Sequence, residues 1–446
     1  MIIYLIFFRW HVHINRIGNF IDDCRYDLFK FYLYLVGTIV KTPLDVVVIG
    51  SGLIGLSTAM CLVTRNPKIR LTVIEKDSEI SGQQSGHNSG VIHSGIYYKP
   101  GSMKSKFCVE GRSSMMRFCQ ENDIPIWTCG KLIVASSQKD LSRLNNLYER
   151  GKANKVEGLR LVGKQETQEI EPYVRCDKGL YAPKTGIVDY REVSKKYADK
   201  ITNNGAQIKV NTKLIRASEK QSTTILETSK GPIESRYVIN CAGLHSDLVA
   251  NHMGVKTGLR IIPFRGEYYT LKKEREYLVK GLIYPTPDPE LPFLGVHLTQ
   301  TMKGWVEAGP NAVLAMKREG YKKTDFSLPD VLSYSLYPGF WKMSTKMWRT
   351  GLWEINRSLR KKLFLKSLQN LVPELKIDDL FGTGSGVRAQ AVDPAGNLVD
   401  DFRIIERKNS IHVLNAPSPG ATSSLVIGEH ITTLAEKYFD LKQNSG

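Results

Sequence analysis

"LDVVVIGSGLIGLSTAMCLVTRNPKIRLTVIEKD", residues 44–77, decides the fold. "LDVVVI" is a continuous apolar run that stops at glycine, as a strand buried on both faces should. A helix-like stretch follows from Leu53 to about Arg65, and "RLTVIE" reads as a second strand. The three pieces make a βαβ unit. Gly50, Gly52 and Gly55 fit G-x-G-x-x-G at the strand-to-helix turn. Gly50 permits the tight turn, Gly52 lets the backbone approach a pyrophosphate, and Gly55 allows close packing of helix on strand. The helix N-terminus attracts phosphate charge, and Glu75, at the end of the second strand, can accept from ribose hydroxyls. With strand, helix and acid in place, the motif points to a dinucleotide. It does not separate NAD from FAD, and the acid argues against NADP.

Outward from this unit, strand-type segments return at about 185–243 and again at the C-terminus. "VDYREVSKKYADKITNNGAQIKVNTKLIRASE" gives a helix from about Arg191, a turn and a strand, and "PIESRYVINCAG" gives another strand. "IHVLNAP" followed by "SPGATSSLVIGEHITTLAEKYF" is a strand, a Gly-containing loop and a helix from about Ala421. The expected class is α/β with two domains (α+β in arrangement). A Rossmann-like nucleotide-binding domain is assembled from the discontinuous segments 45–125, 186–259 and 381–446. A substrate domain with a mixed or antiparallel sheet and a helical flap is assembled from 126–185 and 260–380. Residues 140–175 are polar and mostly helical in pattern. No short internal repeat is visible.

Residues 1–44 stand apart. "MIIYLIFF" and "FYLYLVGTIV" are apolar but too short to span a bilayer, and acidic residues among Arg9, Arg16, Arg25 and Lys30 fit a transit peptide poorly. A targeting segment, an anchor and a mispredicted start are the open readings.

The 446 residues carry 62 Lys and Arg against 44 Asp and Glu, a formal charge of +18. That excess suits nucleic acid, an anionic membrane or a small anionic substrate. The lack of zinc-finger spacing, an RNP-type motif or a long basic run argues against nucleic acid. Seven cysteines, at 24, 61, 108, 119, 129, 176 and 241, form no C-x-x-C pair. A disulfide framework or structural zinc is not expected, and most are read as buried reduced thiols. Trp341, Trp348 and Trp353 alternate with Lys and Arg within 331–371. Such a helix can lie on a membrane, but the preferred reading is a helical flap or core packing with a solvated basic face.

"GHNSGVIHSGIYYKP", residues 86–100, follows the first unit. Its small residues let a backbone pass close under a flat ring, while "GVI" and "IYY" argue against a floppy linker. A metal site at His87 and His93 lacks a third ligand at a usual spacing, so none is expected. Contact of at least one of them with cofactor or substrate is the preferred reading, since histidine suits proton transfer near neutral pH. Arg265 in "IIPFRGEYY" and Arg388 in "GTGSGVRAQAVDPAGN" each border a Gly-rich turn and could clamp a carboxylate. His297 in "FLGVHLT" reads more readily as a core-edge histidine.

Ten ordered motifs together resemble the L-2-hydroxyglutarate dehydrogenase family, flavoenzymes of the D-amino-acid-oxidase-like superfamily. Besides those above they include "CGKLIVA", "GIVDYREV", "CAGLHSD", "VKGLIYPTPDPELPFLGVHLT", "GPNAVLAMKREGY" and "NAPSPGATSS". The likeness runs from about Leu44 to Phe439. Residues 331–371 and the first 44 depart from the family pattern. The resemblance implies bound FAD, oxidation of L-2-hydroxyglutarate to 2-oxoglutarate, a mitochondrial location in eukaryotes, membrane association, and electron delivery to a membrane acceptor instead of NAD. It puts Gly50, Gly52, Gly55, Glu75 and Lys76 on the ADP half of FAD. Gly86, His87, Asn88, Ser89 and Gly90 would lie along the isoalloxazine or its linker, with His87 a candidate for covalent attachment. Ala242 and Gly243 would touch the cofactor after the third strand. The helix at Gly420, Ala421 and Thr422 would face the flavin carbonyl edge, where negative charge builds on reduction.

The expected chemistry is hydride transfer from the hydroxyl-bearing carbon to flavin N5. His93 is the first choice of base and His297 the second, with Arg265 and Arg388 as the two anchors of a five-carbon dicarboxylate. The rivals are an FAD-dependent oxidase or dehydrogenase of another 2-hydroxy acid, an amino acid or glycerol phosphate, and a non-catalytic flavin-binding protein. Fold alone does not choose among them.

Overall fold

The computed structural model describes residues 42–441 apart from 136 and 289–292, so most of the N-terminal extension, with Cys24, lies outside the described residues. In chain order, the elements that build the site are β1 (Leu44–Ile49), α1 (Leu53–Arg65), β2 (Leu71–Ile74), β3 (Lys131–Ala135), β4 (Gly231–Asn240), β5 (Arg260–Leu271), β6 (Leu282–Pro285), β7 (His297–Gln300), α2 (Pro338–Leu359), β8 (Leu380–Val392), β9 (Ser410–Asn415) and α3 (Ser424–Tyr438).

The first sheet runs Leu214–Glu219, Thr224–Thr228, β4, β1, β2, Gln207–Lys209. β1 pairs in parallel with both β2 and β4, and β9 joins the far edge of β4 in parallel at Val238–Asn240. Successive side chains of a strand point to opposite faces. Val46 and Val48 accordingly enter one core with Leu56 and Ala59 of α1, whereas Val47 and Ile49 enter a second core with Val249 and Ala250. Burial on both faces is why Val46 to Ile49 are all apolar, while the buried Asp45 before them is paired with Arg70 at 3.2 Å. Each such apolar side chain contributes roughly 1.5–3 kcal/mol on leaving water. α3 packs across α1, where Gly428 lies against the backbone of Ser57 and Thr58.

The second sheet has nine strands, in the order Val313–Leu314, β5, Val306–Gly309, β7, β6, β3, Lys178–Ala182, Arg160–Gly163, with β8 added to β5. It is mixed: β6 pairs in parallel with β3 and antiparallel with β7. β8 belongs to this sheet along its whole length, pairing antiparallel with β5 from Arg260↔Val392 to Leu271↔Leu380. The segment 381–446 therefore contributes to both sheets. Its glycine run reads as a loop in sequence, but it is strand here because the backbone ladder of β5 pairs it. The helix read from about Ala421 begins at Ser424, after a turn that follows the cis Ser418–Pro419 bond.

α2 packs one face inward and leaves the other to solvent. Its inward face buries Gly339, Phe340, Met343, Glu354, Arg357 and Ser358. Trp341 and Trp348 stand 59% and 56% exposed, along with Leu352, Trp353 and Leu359. The outer face is thus apolar as well as basic, because the Trp spacing falls opposite the face that meets the sheet.

Candidate active site

One cavity of about 1160 Å³ runs from the β1–α1 turn to the face of the second sheet. Ligand pockets usually measure about 300–1,000 Å³, so there is room for a dinucleotide and a small substrate end to end.

The cofactor end is made largely of backbone. Gly50 adopts φ +103°, and a Cβ there would stand 2.6 Å from the Cys241 carbonyl oxygen. A Cβ on Gly55 would overlap the Gly50 carbonyl oxygen. Gly50 and Gly52 line the cavity, and Gly55 does not; its part is the packing of α1 on the turn. The Glu75 carboxylate accepts from Ser51 N and Oγ, both at 2.8 Å, and from Asp77 N at 3.0 Å. It faces the cavity with lone pairs to spare. Lys76 Nζ lies 2.6 Å from both Asp77 and Glu319, and His245 Nε2 lies 2.8 Å from Glu319. Burial pushes the Glu319 carboxyl up, but hydrogen bonds from His245 and Lys76 outweigh it and bring the group down to about 2. Ala242, Gly243, Gly420 and Ala421 complete this wall. A backbone cradle that any Cβ would fill, the N-terminus of α1 and a carboxylate at the end of β2 fit the ADP half of FAD.

In the strap, His87, Asn88 and Ser89 line the cavity while Gly86 and Gly90 do not. The two glycines are tight packing points: a Cβ would meet the Ser81 carbonyl oxygen at 2.5 Å from Gly86 and that of Val188 at 2.7 Å from Gly90. The His87 ring lies 4.5 Å from that of Tyr321, and its Nδ1 is 3.3 Å from the Ser385 carbonyl oxygen. Burial lowers its pKa against the opposing Ser385 bond. Thr422 is buried behind the strap, where His93 N donates to its Oγ1 at 3.0 Å.

The substrate end is made of side chains from separate strands. Phe264 of β5 sits directly opposite Arg388 of β8, and Gly266 and Tyr268 follow on the same face of β5, lining the cavity. Alternation sends Arg265 to the other face. There its Nε and Nη2 donate to Glu267 at 3.1 and 2.9 Å and its Nη1 to the Lys322 carbonyl at 3.1 Å. Arg265 does not line the cavity and is already paired. Arg388 lines it, stacks 4.9 Å from the Phe293 ring and, among the described residues, forms no ion pair. Burial lowers its pKa.

His93 and His297 both line this end. His297 Nδ1 lies 2.9 Å from the Gly295 carbonyl, and its ring stacks on Tyr284 at 3.8 Å. A proton on Nδ1 satisfies that carbonyl and leaves Nε2 with a free lone pair. Burial, offset by the Gly295 bond and joined by Lys131 and Arg388, brings His297 down to about 3. Burial also holds His93 well below the usual histidine range, with Lys131 and His297 adding to it. Its Nδ1 is buried without a partner among the described residues, and its Nε2 is 3.4 Å from Ser418 Oγ. His297, read from sequence as a core-edge residue, is thus a cavity residue: β7 lies inside the sheet, and its alternation points His297 at the site.

Three further groups were missed. Tyr268 and Tyr284 carry no sequence mark beyond strand alternation. Lys131, 1% exposed, begins an apolar strand, where a lysine ordinarily reads as a solvated end. Among the described residues no group of His, Cys, Asp or Glu converges as a metal site. The cysteines at 61, 108, 119, 129, 176 and 241 are free thiols, and burial pushes Cys61, Cys108, Cys119 and Cys241 up to about 12.

The FAD dependent oxidoreductase family (DAO) matches residues 45–434. L-2-hydroxyglutarate dehydrogenase of Indibacter alkaliphilus is 50% identical over 397 residues, 89% of this chain and 99% of that protein. The human protein named L-2-hydroxyglutarate dehydrogenase, mitochondrial, is 42% identical over 414 residues, 89% of each chain. In fold, the chain resembles the FAD-bound L-alpha-glycerophosphate oxidase of Mycoplasma pneumoniae, with a TM-score of 0.72 at 22% identity over 88% of this chain and 95% of that one. The strand–glycine–helix cradle, its carboxylate and these relatives lead to one conclusion: the chain belongs to the FAD-dependent oxidoreductases and, among them, to the L-2-hydroxyglutarate dehydrogenase family.

Proposed function

We propose that this chain oxidises the C2 hydroxyl of L-2-hydroxyglutarate to the ketone of 2-oxoglutarate and passes the electrons to a membrane acceptor, not to NAD. The observation that carries the reading is Arg388, a cavity-facing guanidinium without an ionic partner among the described residues, in the same cavity wall as His93 and His297. Arg388 clamps one carboxylate of the substrate. FAD, when bound, supplies the two-electron acceptor for the hydrogen on C2. His297 takes the hydroxyl proton on Nε2, its tautomer set by the Gly295 carbonyl. Its low pKa keeps the lone pair free, and the negative charge of an incoming dicarboxylate raises its affinity for the proton. His93, the first choice from sequence, lacks such an anchor for its ring and stands beside the substrate. Tyr268 and Tyr284 fill the wall between them and exclude water.

Among the described residues no helix is long and apolar enough to cross a membrane. The outer face of α2 supports peripheral association: Trp341, Trp348 and Trp353 stand among Lys342, Lys346 and Arg349, a pattern suited to an anionic interface. A mitochondrial location fits the names of the eukaryotic relatives, and the exposed face of α2 would hold the chain at the inner membrane there. The test is turnover with an artificial quinone as acceptor, following 2-oxoglutarate formation from each 2-hydroxyglutarate enantiomer. Product from the L form with quinone and none with NAD is expected. Turnover of glycerol phosphate or an amino acid in its place would overturn the reading.

A further inference from the structure

Lys131 opens β3 in the interior of the second sheet, with Leu282 of β6 beside it on one edge and Ala182 on the other. Its Nζ stands 3.8 Å from the Tyr284 ring centroid and 5.1 Å from that of Tyr97. The Tyr284 ring stacks 3.8 Å from His297, so ammonium and imidazole are no more than about 8 Å apart. Among the described residues Lys131 has no carboxylate within ion-pair distance, and its side chain donates no hydrogen bond. An ammonium buried without a counter-ion is costly, and nothing in the sheet's packing calls for a lysine at this position.

The groups facing it come from every element around the pocket. Tyr97 and His93 belong to the strap, Tyr284 to β6 and His297 to β7. Cys108 comes from the Met103–Glu121 helix, Cys129 from the turn before β3, and Arg388 stands beyond His297 on β8. None of them is an anion at neutral pH: burial pushes Tyr97 and Tyr284 well up, Cys108 up to about 12 and Cys129 up to about 11. Around the Lys131 ammonium stand two phenols, two thiols and two imidazoles, with the Arg388 guanidinium beyond them and no anion among them.

We infer that Lys131 is a positioning residue for the oxidation: its ammonium, held behind Tyr284 and within about 8 Å of His297, adds to burial in disfavouring a proton on the imidazoles of His297 and His93, so that a proton acceptor is free when the dicarboxylate arrives. The inference rests on the function proposed above and adds to it the residue that tunes the base. The sign is consistent. Burial brings Lys131 down to about 7, so below that pH it is charged, which is the range in which an ordinary histidine would take up a proton. Above it the field fades, where the histidines are neutral in any case.

The experiment compares the FAD-loaded wild type with Lys131→Met, Lys131→Gln and Lys131→Arg. Two quantities are followed: the pH profile of kcat/KM for L-2-hydroxyglutarate, and the NMR titration of His93 and His297 without substrate. In the Met and Gln variants the acid limb and the His297 titration should move to higher pH by about one to two units, as a charge within about 8 Å through protein implies, and the His93 titration should move in the same direction. In the Arg variant both should stay near wild type even if the rate falls. A Met or Gln variant that keeps its yellow flavin and shows unmoved titrations would overturn the inference. Should the wild type fail to turn over L-2-hydroxyglutarate, the proposed function falls, and the histidine titrations still judge Lys131 separately.

Discussion

The two ends of the cavity are built on different principles. At the cofactor end, contacts are largely main chain and their nucleus is local: Gly50, Gly52 and Glu75 lie within 26 residues and follow from one strand, one turn and one helix, with Ala242, Gly243, Gly420 and Ala421 closing the wall from later segments. At the substrate end, Tyr268, Tyr284, His297 and Arg388 line the cavity from four strands, and Lys131 stands against the Tyr284 ring on a fifth, more than 250 residues before Arg388 and joined to it only by the register of the sheet. Backbone recognition tolerates little side-chain change but is local. Side-chain recognition is global and can be retuned one residue at a time.

Substitutions should separate the two ends, and the largest effect falls on the base. His297→Gln should lower the rate of anaerobic flavin reduction by about 10²–10⁴-fold, the usual worth of general base catalysis, with flavin content unchanged. A larger loss in His93→Gln than in His297→Gln would return the base to His93. Next, Arg388→Ala should lower kcat/KM by roughly 30- to 5,000-fold, the equivalent of about 2–5 kcal/mol for a desolvated charge contact. Steady-state kinetics equal to wild type would remove it as the carboxylate anchor. A smaller effect, confined to the other end, is expected of Glu75→Gln: weaker FAD retention by about 1–2 kcal/mol on loss of charge-assisted hydrogen bonds, read by equilibrium dialysis, with the turnover of the loaded fraction kept.

The smallest kinetic effect should come from Arg265. Arg265→Met leaves Glu267 buried without its guanidinium, although Asn311, Ser358 and Lys323 still reach that carboxylate. Stability should fall by about 3–5 kcal/mol in denaturant titration, while the folded fraction keeps its KM for substrate. A raised KM with unchanged stability would put Arg265 back at the substrate. Arg265 and Arg388 thus form a pair that reads alike in sequence and differs in the fold by which face of the sheet each occupies.

That pair also shows how far the sequence could be read. The βαβ unit, the cradle glycines and Glu75 were legible because their signal is a local pattern of strand, glycine and helix. The strap was legible as something that lines a site, though Gly86 and Gly90 turned out to pack the strap against its neighbours. Two things were hidden. One is the sidedness of β5, where "PFRGEYY" gives no clear alternation of apolar and polar residues to show whether Arg265 or its neighbours face the cavity. The other is the environment of Lys131 and His297, which depends on strands more than 100 residues away in the chain. α2 was recognised as amphipathic, but which face meets the sheet depends on tertiary packing, and the tryptophans fall on the outside.

Stereoselective oxidation of a 2-hydroxy dicarboxylate is the reaction this cavity is built for. It is tested most directly by mixing the yellow, FAD-loaded protein with each 2-hydroxyglutarate enantiomer in the absence of oxygen. Rapid loss of the visible flavin absorbance with the L form and none with the D form is the predicted result. A flavin band left intact by the L form, or bleached equally by both, would contradict it.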